Sequence, residues 1–317
     1  MSDPPTLVFV PGSWHRPTCY NKIIKLLQEQ HNLKCTTVTL LSTSGDPEAT
    51  FKDDIDAARE AIDAETSQGR NVVVVAHSFG GMVANSAIKG FTAKDVSSPA
   101  SGHVIGLVLI ASGFTLTGLS FMDPMFGIPP PTWRVNKETG FAELVTPPRQ
   151  LFYHDLPGDE ADEWVSQLTP QNLKALFEGG EHAYAGWQDV PVWYIGTVED
   201  QGLPVAMQRL QVGMAREMGG AVEHRELQTS HSPFLSQPNE VVDILTDAIA
   251  AFTGKAVEVS LPEQKERAVV RTPRADIWQP YSLLKYGLPL ALGHIVGRCI
   301  VLFQWTRGLW TSKSKTS

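Results

Sequence analysis

The chain has 317 residues, 42% of them hydrophobic and 19% charged, which is enough apolar material for one large α/β domain or two small ones. Its net charge of −8 is uneven, because residues 255–317 hold ten Lys and Arg against four Asp and Glu and leave the first 254 residues strongly acidic. An acidic body argues against nucleic acid as a partner, whereas the basic tail can approach anionic surfaces.

The three cysteines are odd in number and widely scattered, at positions 19, 35 and 299. This usage argues against a disulfide framework and for a reducing compartment, and no metal-ligand spacing is present, so we predict neither metal nor cofactor. The first residues, MSDPPTLVFVPG, lack a basic region, and their apolar stretch is too short for a signal peptide. We therefore predict a cytoplasmic protein.

Short apolar runs alternate with segments of helical periodicity along the chain. Strands are predicted over residues 6–10, 35–41, 72–76, 104–111, 192–197 and 221–227, and helices over residues 20–27, 51–62, 80–89, 203–214 and 241–252. Strands that are apolar on both faces and separated by helices are typical of a parallel sheet covered on both sides. The pattern predicts an α/β fold with a mostly parallel central sheet and helices on both faces.

Two regions depart from this alternation. Residues 113–188 are too many for a loop and contain a helical piece around residues 160–177, so we predict a helical cap over the carboxyl edge of the sheet. Residues 1–112 and 189–254 then form the core, and residues 255–317 a basic amphipathic extension. Charged residues and a proline interrupt the aromatic-rich stretch 278–310, which argues against a bilayer span and favours peripheral membrane contact, docking on the body or homodimer formation.

The stretch VVVVAHSFGGM, residues 72–82, places Ser78 at the carboxyl end of a buried strand, where ligands bind in open α/β sheets. A nucleophile on a sharp strand-to-helix turn needs small residues two positions before and after it, and Ala76 and Gly80 fulfil this. Alanine departs from the usual G-x-S-x-G pattern. We predict that Ser78 is a nucleophile; the alternative is a serine that only caps the following helix.

A serine hydroxyl attacks well only when a histidine held by a carboxylate removes its proton. The chain order serine, acid, histidine selects His231, which lies in a loop after the last predicted strand. His224 falls inside that strand, and we interpret His77 as structural. Glu199 and Asp200 both end a strand; the shorter side chain favours Asp200, and Glu199 remains the alternative acid.

An oxyanion formed on the substrate needs two backbone N–H donors. We predict the N–H of Phe79, the residue after the nucleophile, and the N–H of Ser13, in a loop where Gly12 permits close approach. Apolar residues of this loop and of the insertion are expected to line a substrate pocket or to form the cap's own core. These residues are Trp14, Phe114, Met122 and Trp133.

Five stretches resemble the α/β-hydrolase superfamily, in particular the small esterases similar to plant methyl esterases and hydroxynitrile lyases. They are FVPGSWH (9–15), VVVVAHSFGGM (72–82), LFYHDLP (151–157), YIGTVEDQGLP (194–204) and SHSPFLSQP (230–238). By this similarity Asp200, followed by x-x-Leu-Pro, is the acid. Pro11 stands where these proteins commonly have histidine, and Ser232 stands where the lyases commonly have lysine, which favours a hydrolase.

The resemblance implies a serine esterase or lactonase, without cofactor, that cleaves an ester or lactone of a small apolar molecule through an acyl-enzyme. The first alternative is a lyase or cyclase on the same fold that uses His231 as a base. The second is a binding module that keeps the pocket but has little turnover. Fold alone does not decide among them.

Overall fold

A computed structural model describes residues 4–96 and 101–254, and its main feature is a six-stranded sheet. The strands are β1 (Thr6–Val10), β2 (Cys35–Thr37), β3 (Val72–His77), β4 (Val104–Ile110), β8 (Val192–Thr197) and β9 (Val222–Leu227). They lie in the order β2-β1-β3-β4-β8-β9, and every neighbouring pair is parallel. The predicted parallel α/β sheet is confirmed.

Helices cover both faces of this sheet, because the central strands are apolar on both sides. Leu7 and Phe9 of β1 pack with α1 (Asn21–His31) and α9 (Pro238–Thr253), whereas Val8 and Val10 pack with the helices of the opposite face. Those helices are α2 (Phe51–Thr66), α3 (Gly80–Ala87) and α7 (Val205–Glu217). The core therefore lies in two layers, one on each side of the sheet.

Strand β2 ends at Thr37, four residues before the predicted end at position 41. Among the described strands it pairs with β1 alone, and the last paired residues are Phe9 and Thr37. After the Val38 N–H donates to the Phe9 carbonyl at 2.9 Å, β1 has a single residue left before Pro11. Beyond Val38, Leu40 is buried without a strand partner in the described chain, whereas Leu41 is exposed and begins a short 3-10 helix, Leu41–Thr43.

The insertion between β4 and β8, residues 113–188, contains a small antiparallel sheet as well as helices. The sheet consists of β5 (Trp133–Asn136), β6 (Phe141–Leu144) and β7 (Gln171–Asn172), and the helices are α4 (Pro148–Phe152), α5 (Gly158–Ser166) and α6 (Lys174–Phe177). The helical piece expected around residues 160–177 is thus two helices separated by a strand. The sheet was not predicted.

The carboxyl end of the described chain is α9, followed by Gly254. The stretch 278–310, predicted to contact a membrane or a second subunit, lies outside the described residues, as does Cys299. Within residues 4–96 and 101–254, no helix is both long enough and apolar enough to cross a bilayer. Strand β9 and helix α9 are joined by the loop that carries His231 and by the short helix α8 (Pro233–Ser236).

Candidate active site

Ser78 lies on a sharp turn between β3 and α3, with a φ of 51°. This left-handed conformation is unfavourable for a residue with a side chain and persists only where surrounding contacts hold it. The Ser78 N–H donates to the Ile110 carbonyl at 3.0 Å, and its carbonyl accepts from the Ser112 hydroxyl at 2.7 Å. A Cβ atom on Gly80 would lie 2.2 Å from the Pro11 carbonyl oxygen, which explains the requirement for glycine two residues after the serine.

His231 and Asp200 are buried together at the carboxyl edge of the sheet. The His231 Nδ1 donates to the Asp200 Oδ2 at 2.7 Å. The other carboxylate oxygen of Asp200 accepts the N–H groups of Gly202 and Leu203, each at 2.7 Å. Asp200 follows β8, and His231 follows β9, so two adjacent parallel strands bring the pair together.

Two further contacts support the charged form of the Asp200 carboxylate. The Thr197 hydroxyl donates to Oδ2 at 2.7 Å, and the Gln208 amide donates to the same oxygen at 3.2 Å. Burial works to raise the pKa of Asp200, but the charge and hydrogen bond of His231, with the Leu203 N–H and the Thr197 hydroxyl, outweigh it and hold this pKa below its usual value. A fixed negative charge therefore faces the imidazole.

His77 joins the His231 loop to the serine turn. Its Nε2 donates to the His231 carbonyl at 2.9 Å, and the two rings lie 4.6 Å apart. Burial, reinforced by the neighbouring histidines, holds the pKa of His77 well below its usual value, so this ring is neutral. Since His77 directly precedes Ser78, this contact brings the loop of His231 to the serine turn.

The alternative residues of the sequence analysis lie elsewhere. Glu199 is exposed, and its Oε2 lies 3.9 Å from the Nε2 of His154. His224 is packed inside β9 against the Tyr194 ring, at a centroid distance of 5.5 Å. Burial lowers the pKa of His224 to about 4. Neither residue contacts His231 or Ser78 in any hydrogen bond or ion pair of the described chain.

The two predicted oxyanion donors flank the serine. Phe79 follows it, and a Cβ atom on Gly12 would lie 2.9 Å from the Ser78 Cβ, so the loop before Ser13 lies directly against Ser78. Within residues 4–96 and 101–254, neither the Ser13 N–H nor the Phe79 N–H donates to a protein acceptor. Both donors are thus available to a ligand.

Phe114, Met122 and Trp133 belong to the apolar cluster on the α2, α3 and α7 side of the sheet, which extends into the insertion, and Trp14 packs against it. Trp14 is half-buried and lies edge-on to Trp133, with ring centroids 6.3 Å apart. Phe114 stacks on Tyr194 at 5.7 Å, and Met122 is buried with it. Phe114 therefore packs as a core residue, and Trp14 is the most exposed of the four.

Several positioning residues were missed by the sequence reasoning. Ser112, at the end of β4, holds the carbonyl of Ser78, and Gln208, on α7, holds Asp200. Asp155, in the insertion, accepts the Thr229 hydroxyl at 2.7 Å and the Ser230 N–H at 2.9 Å, directly before His231. The stretch LFYHDLP contained a signal for Asp155, since an acidic residue amid apolar neighbours needs a partner when buried.

The comparisons with known proteins agree with this architecture. A model of the alpha/beta hydrolase family matches residues 7–244. An alpha/beta hydrolase of Aspergillus novofumigatus, nvfD, is 28% identical over 258 residues, which cover 80% of this chain and 99% of the relative. The probable hydrolase R7 of Phoma sp. is 25% identical over 248 residues, which cover 77% of this chain and 97% of the relative.

Solved structures share the fold at lower identity. A pyrethroid hydrolase from Sphingobium faniae has a TM-score of 0.61 at 19% identity, covering 78% of this chain and 98% of its own. Polyneuridine aldehyde esterase has a TM-score of 0.58 at 21% identity, covering 78% of this chain and 99% of its own. The predicted resemblance is confirmed. Because the family model spans most of its length, the chain belongs to the alpha/beta hydrolase family.

Proposed function

We propose that the protein is a serine esterase or lactonase in which Ser78 is the nucleophile, His231 the base and Asp200 the orienting carboxylate. One observation carries the proposal: Ser78 is held at a φ of 51° beside a loop whose histidine donates its Nδ1–H to a buried carboxylate at 2.7 Å. With the proton on Nδ1, the Nε2 of His231 has a free lone pair. That lone pair can accept the proton of a serine hydroxyl.

The proposed reaction proceeds through an acyl-enzyme. The Ser78 oxygen bonds to the substrate carbonyl carbon while His231 takes its proton, and the electron pair moves onto the carbonyl oxygen. The Ser13 and Phe79 N–H groups stabilise that oxyanion. Its collapse breaks the ester bond, and the leaving alcohol takes the proton from His231. Water then attacks the acyl group with His231 as base, which releases the acid and restores Ser78.

The substrate class follows from the apolar surroundings of the serine. Trp14, Phe79 and Phe121 belong to or pack against the apolar cluster beneath the insertion, and Phe121 lies edge-on to Phe79 at 5.5 Å. Such a lining favours a small apolar acyl or ring group. The names of two structural neighbours, a pyrethroid hydrolase and polyneuridine aldehyde esterase, are compatible with that choice, although their likeness extends only to the fold.

Labelling with a fluorophosphonate probe and turnover of p-nitrophenyl esters of increasing chain length test the proposal on the full chain. Ser78→Ala should abolish labelling and lower kcat by roughly 10⁴- to 10⁶-fold. Ser166→Ala, which changes an exposed serine of α5, should leave both unchanged. Persistent labelling of the Ser78 variant would refute the nucleophile. Turnover of a cyanohydrin or polyketide-like substrate without incorporation of ¹⁸O from labelled water would instead identify a lyase or cyclase.

A further inference from the structure

The loop that carries Ser13 is a tight turn of unusual composition. The His15 N–H donates to the Gly12 carbonyl at 3.2 Å and closes a four-residue turn. Ser13 keeps a negative φ, whereas Trp14 has a φ of 61°. This combination belongs to a type II turn, whose third position favours glycine because a side chain there is strained. A tryptophan at this position needs contacts that hold it.

The contacts of Trp14 come from the insertion. Its carbonyl accepts the Thr169 N–H at 2.9 Å and the Thr169 hydroxyl at 3.2 Å. Its indole N–H donates to the Ala142 carbonyl of β6 at 3.3 Å. Both the backbone and the side chain of Trp14 are therefore fixed by residues of the insertion. These contacts offset the strain that such a backbone conformation stores.

His15 fixes the central peptide of the same turn. Its Nδ1 lies 2.7 Å from the Ser13 carbonyl, and its Nε2 lies 2.9 Å from the Tyr153 hydroxyl. A carbonyl can only accept, so Nδ1 carries the proton and donates. Burial lowers the pKa of His15 to about 4, so the ring has no second proton and Nε2 accepts from Tyr153. The Tyr153 hydroxyl therefore favours the Nδ1-protonated tautomer of His15, which donates to the Ser13 carbonyl.

We infer that the insertion positions the oxyanion loop, with Tyr153 acting through His15 and Thr169 acting through Trp14 to hold Ser13 in its turn against Ser78. The inference rests on the proposed function, in which the Ser13 N–H receives the oxyanion. Type I and type II turns differ by a rotation of the central peptide, which reverses the Ser13 carbonyl. Without these contacts, that rotation relieves the strain at Trp14, and Ser13 is no longer held against Ser78.

Tyr153→Phe is the most conservative test, because it removes only the hydroxyl that donates to His15. Loss of a complete oxyanion donor lowers kcat about 100- to 1,000-fold, and loosening one of its supports should lower kcat about 10-fold. KM should stay unchanged. The inhibition constant of a trifluoromethyl ketone, which forms a tetrahedral oxyanion with the serine, should rise by the factor by which kcat/KM falls. The pH profile should not move, because His231 and Asp200 are untouched.

Substitutions of His15 provide a second, independent test. The amide nitrogen of Asn can occupy the place of Nδ1 and donate to the Ser13 carbonyl, whereas Leu cannot donate. His15→Asn should therefore retain at least about 10-fold more kcat than His15→Leu, although Leu is closer to histidine in size and better suited to a buried apolar site. If His15 acts only through packing, the Leu variant should instead retain more kcat than the Asn variant.

Tyr184→Phe is the matched control, since Tyr184 lies in the same insertion and loses one hydroxyl bond, to Asp189 at 2.7 Å. If Tyr153→Phe and Tyr184→Phe have the same kcat and the same inhibition constant in an enzyme whose turnover needs Ser78, the inference is overturned and the proposed function stands. A lower melting temperature together with a higher KM, without a change in the inhibition constant, also overturns the inference. If the wild-type protein shows no turnover that depends on Ser78, both the proposed function and this inference are refuted.

Discussion

Asp200→Asn is the sharpest test of the acid, because the contacts of this carboxylate leave no harmless orientation for an amide. Oδ1 accepts two backbone N–H groups, of Gly202 and Leu203, so the amide oxygen must stay there. The NH₂ group then faces His231 at the position of Oδ2, 2.7 Å from Nδ1. To avoid two facing donors, His231 moves its proton to Nε2. In that tautomer it cannot accept the proton of Ser78.

A wrong tautomer of this kind lowers kcat about 10⁴-fold in serine proteases, which corresponds to about 5.5 kcal/mol of transition-state stabilisation. We expect a loss of about 10³- to 10⁴-fold here with KM nearly unchanged, because Asp200 is not among the residues expected to line the substrate pocket. Steady-state turnover of a p-nitrophenyl ester measures the effect. Thermal unfolding of the same preparation shows whether the variant remains folded.

Glu199→Gln is the matched control for this substitution. It removes the neighbouring carboxylate, which is exposed and lies 3.9 Å from His154, and it should change kcat by less than about 2-fold. The reasoning is refuted if the Asp200 variant keeps wild-type activity while folded. It is equally refuted if the Glu199 variant shows the larger loss, because Glu199 is then the acid.

The remaining predictions concern stability, measured by urea unfolding. Gly80→Ala places a Cβ atom 2.2 Å from the Pro11 carbonyl oxygen and should lower the free energy of unfolding by about 1–3 kcal/mol. Burial raises the pKa of Asp54 to about 6, so its ionisation costs stability as the pH rises from about 4 to 6. Asp54→Asn should remove that slope and raise the free energy of unfolding at pH 7 by about 1–2 kcal/mol. Burial works to raise the pKa of Glu65, but hydrogen bonds from Arg70 and Lys34 lower it to about 2. Glu65→Gln should therefore cost about 1–2 kcal/mol at pH 7, a difference that shrinks as the pH falls below about 4.5.

Each stability prediction has its own contrary result. Gly213→Ala, on α7 with no atom within 4 Å of the added Cβ, should stabilise by about 0.5–1 kcal/mol; equal losses at both glycines would contradict the clash at Pro11. An Asp54 variant that keeps the wild-type pH dependence between 4 and 6 would show that this carboxyl is not shifted. A Glu65 variant whose deficit is the same at pH 7 and pH 3.5 would rule out a contribution from its ionised form.

Much of the fold was predictable, because buried parallel strands and amphipathic helices have different periods. The strand predicted over residues 35–41 was too long, since hydropathy does not show whether a neighbouring strand is present, and the pairing of β1 with β2 ends at Phe9. The hairpin of β5 and β6 was missed because each strand has only four residues. The connecting turn ends in Gly140, with a φ of 76°, which was the one local signal for it. Such short strands are stabilised by tertiary packing rather than by local preference.

The candidate site was predictable where chemistry restricts the residue type and the chain order. Ser78, Asp200 and His231 were selected on that basis. The sequence left Glu199 open as the alternative acid, but Glu199 is exposed, and Asp200 is the residue that accepts the Nδ1–H of His231. Supports such as Ser112 could not be found in this way, because a buried serine that holds one carbonyl has no distinctive spacing. Its role follows only from the position of β4 beside β3.

The stretch LFYHDLP connects the insertion to two loops of the proposed active site. Tyr153 reaches His15 in the oxyanion loop, and two residues later Asp155 holds the peptide before His231. The proposed oxyanion donor and the proposed base thus lie on separate loops of the core, and one short segment of the insertion contacts both loops. If Ser13 and His231 have the proposed roles, their relative position depends on the insertion as well as on the sheet.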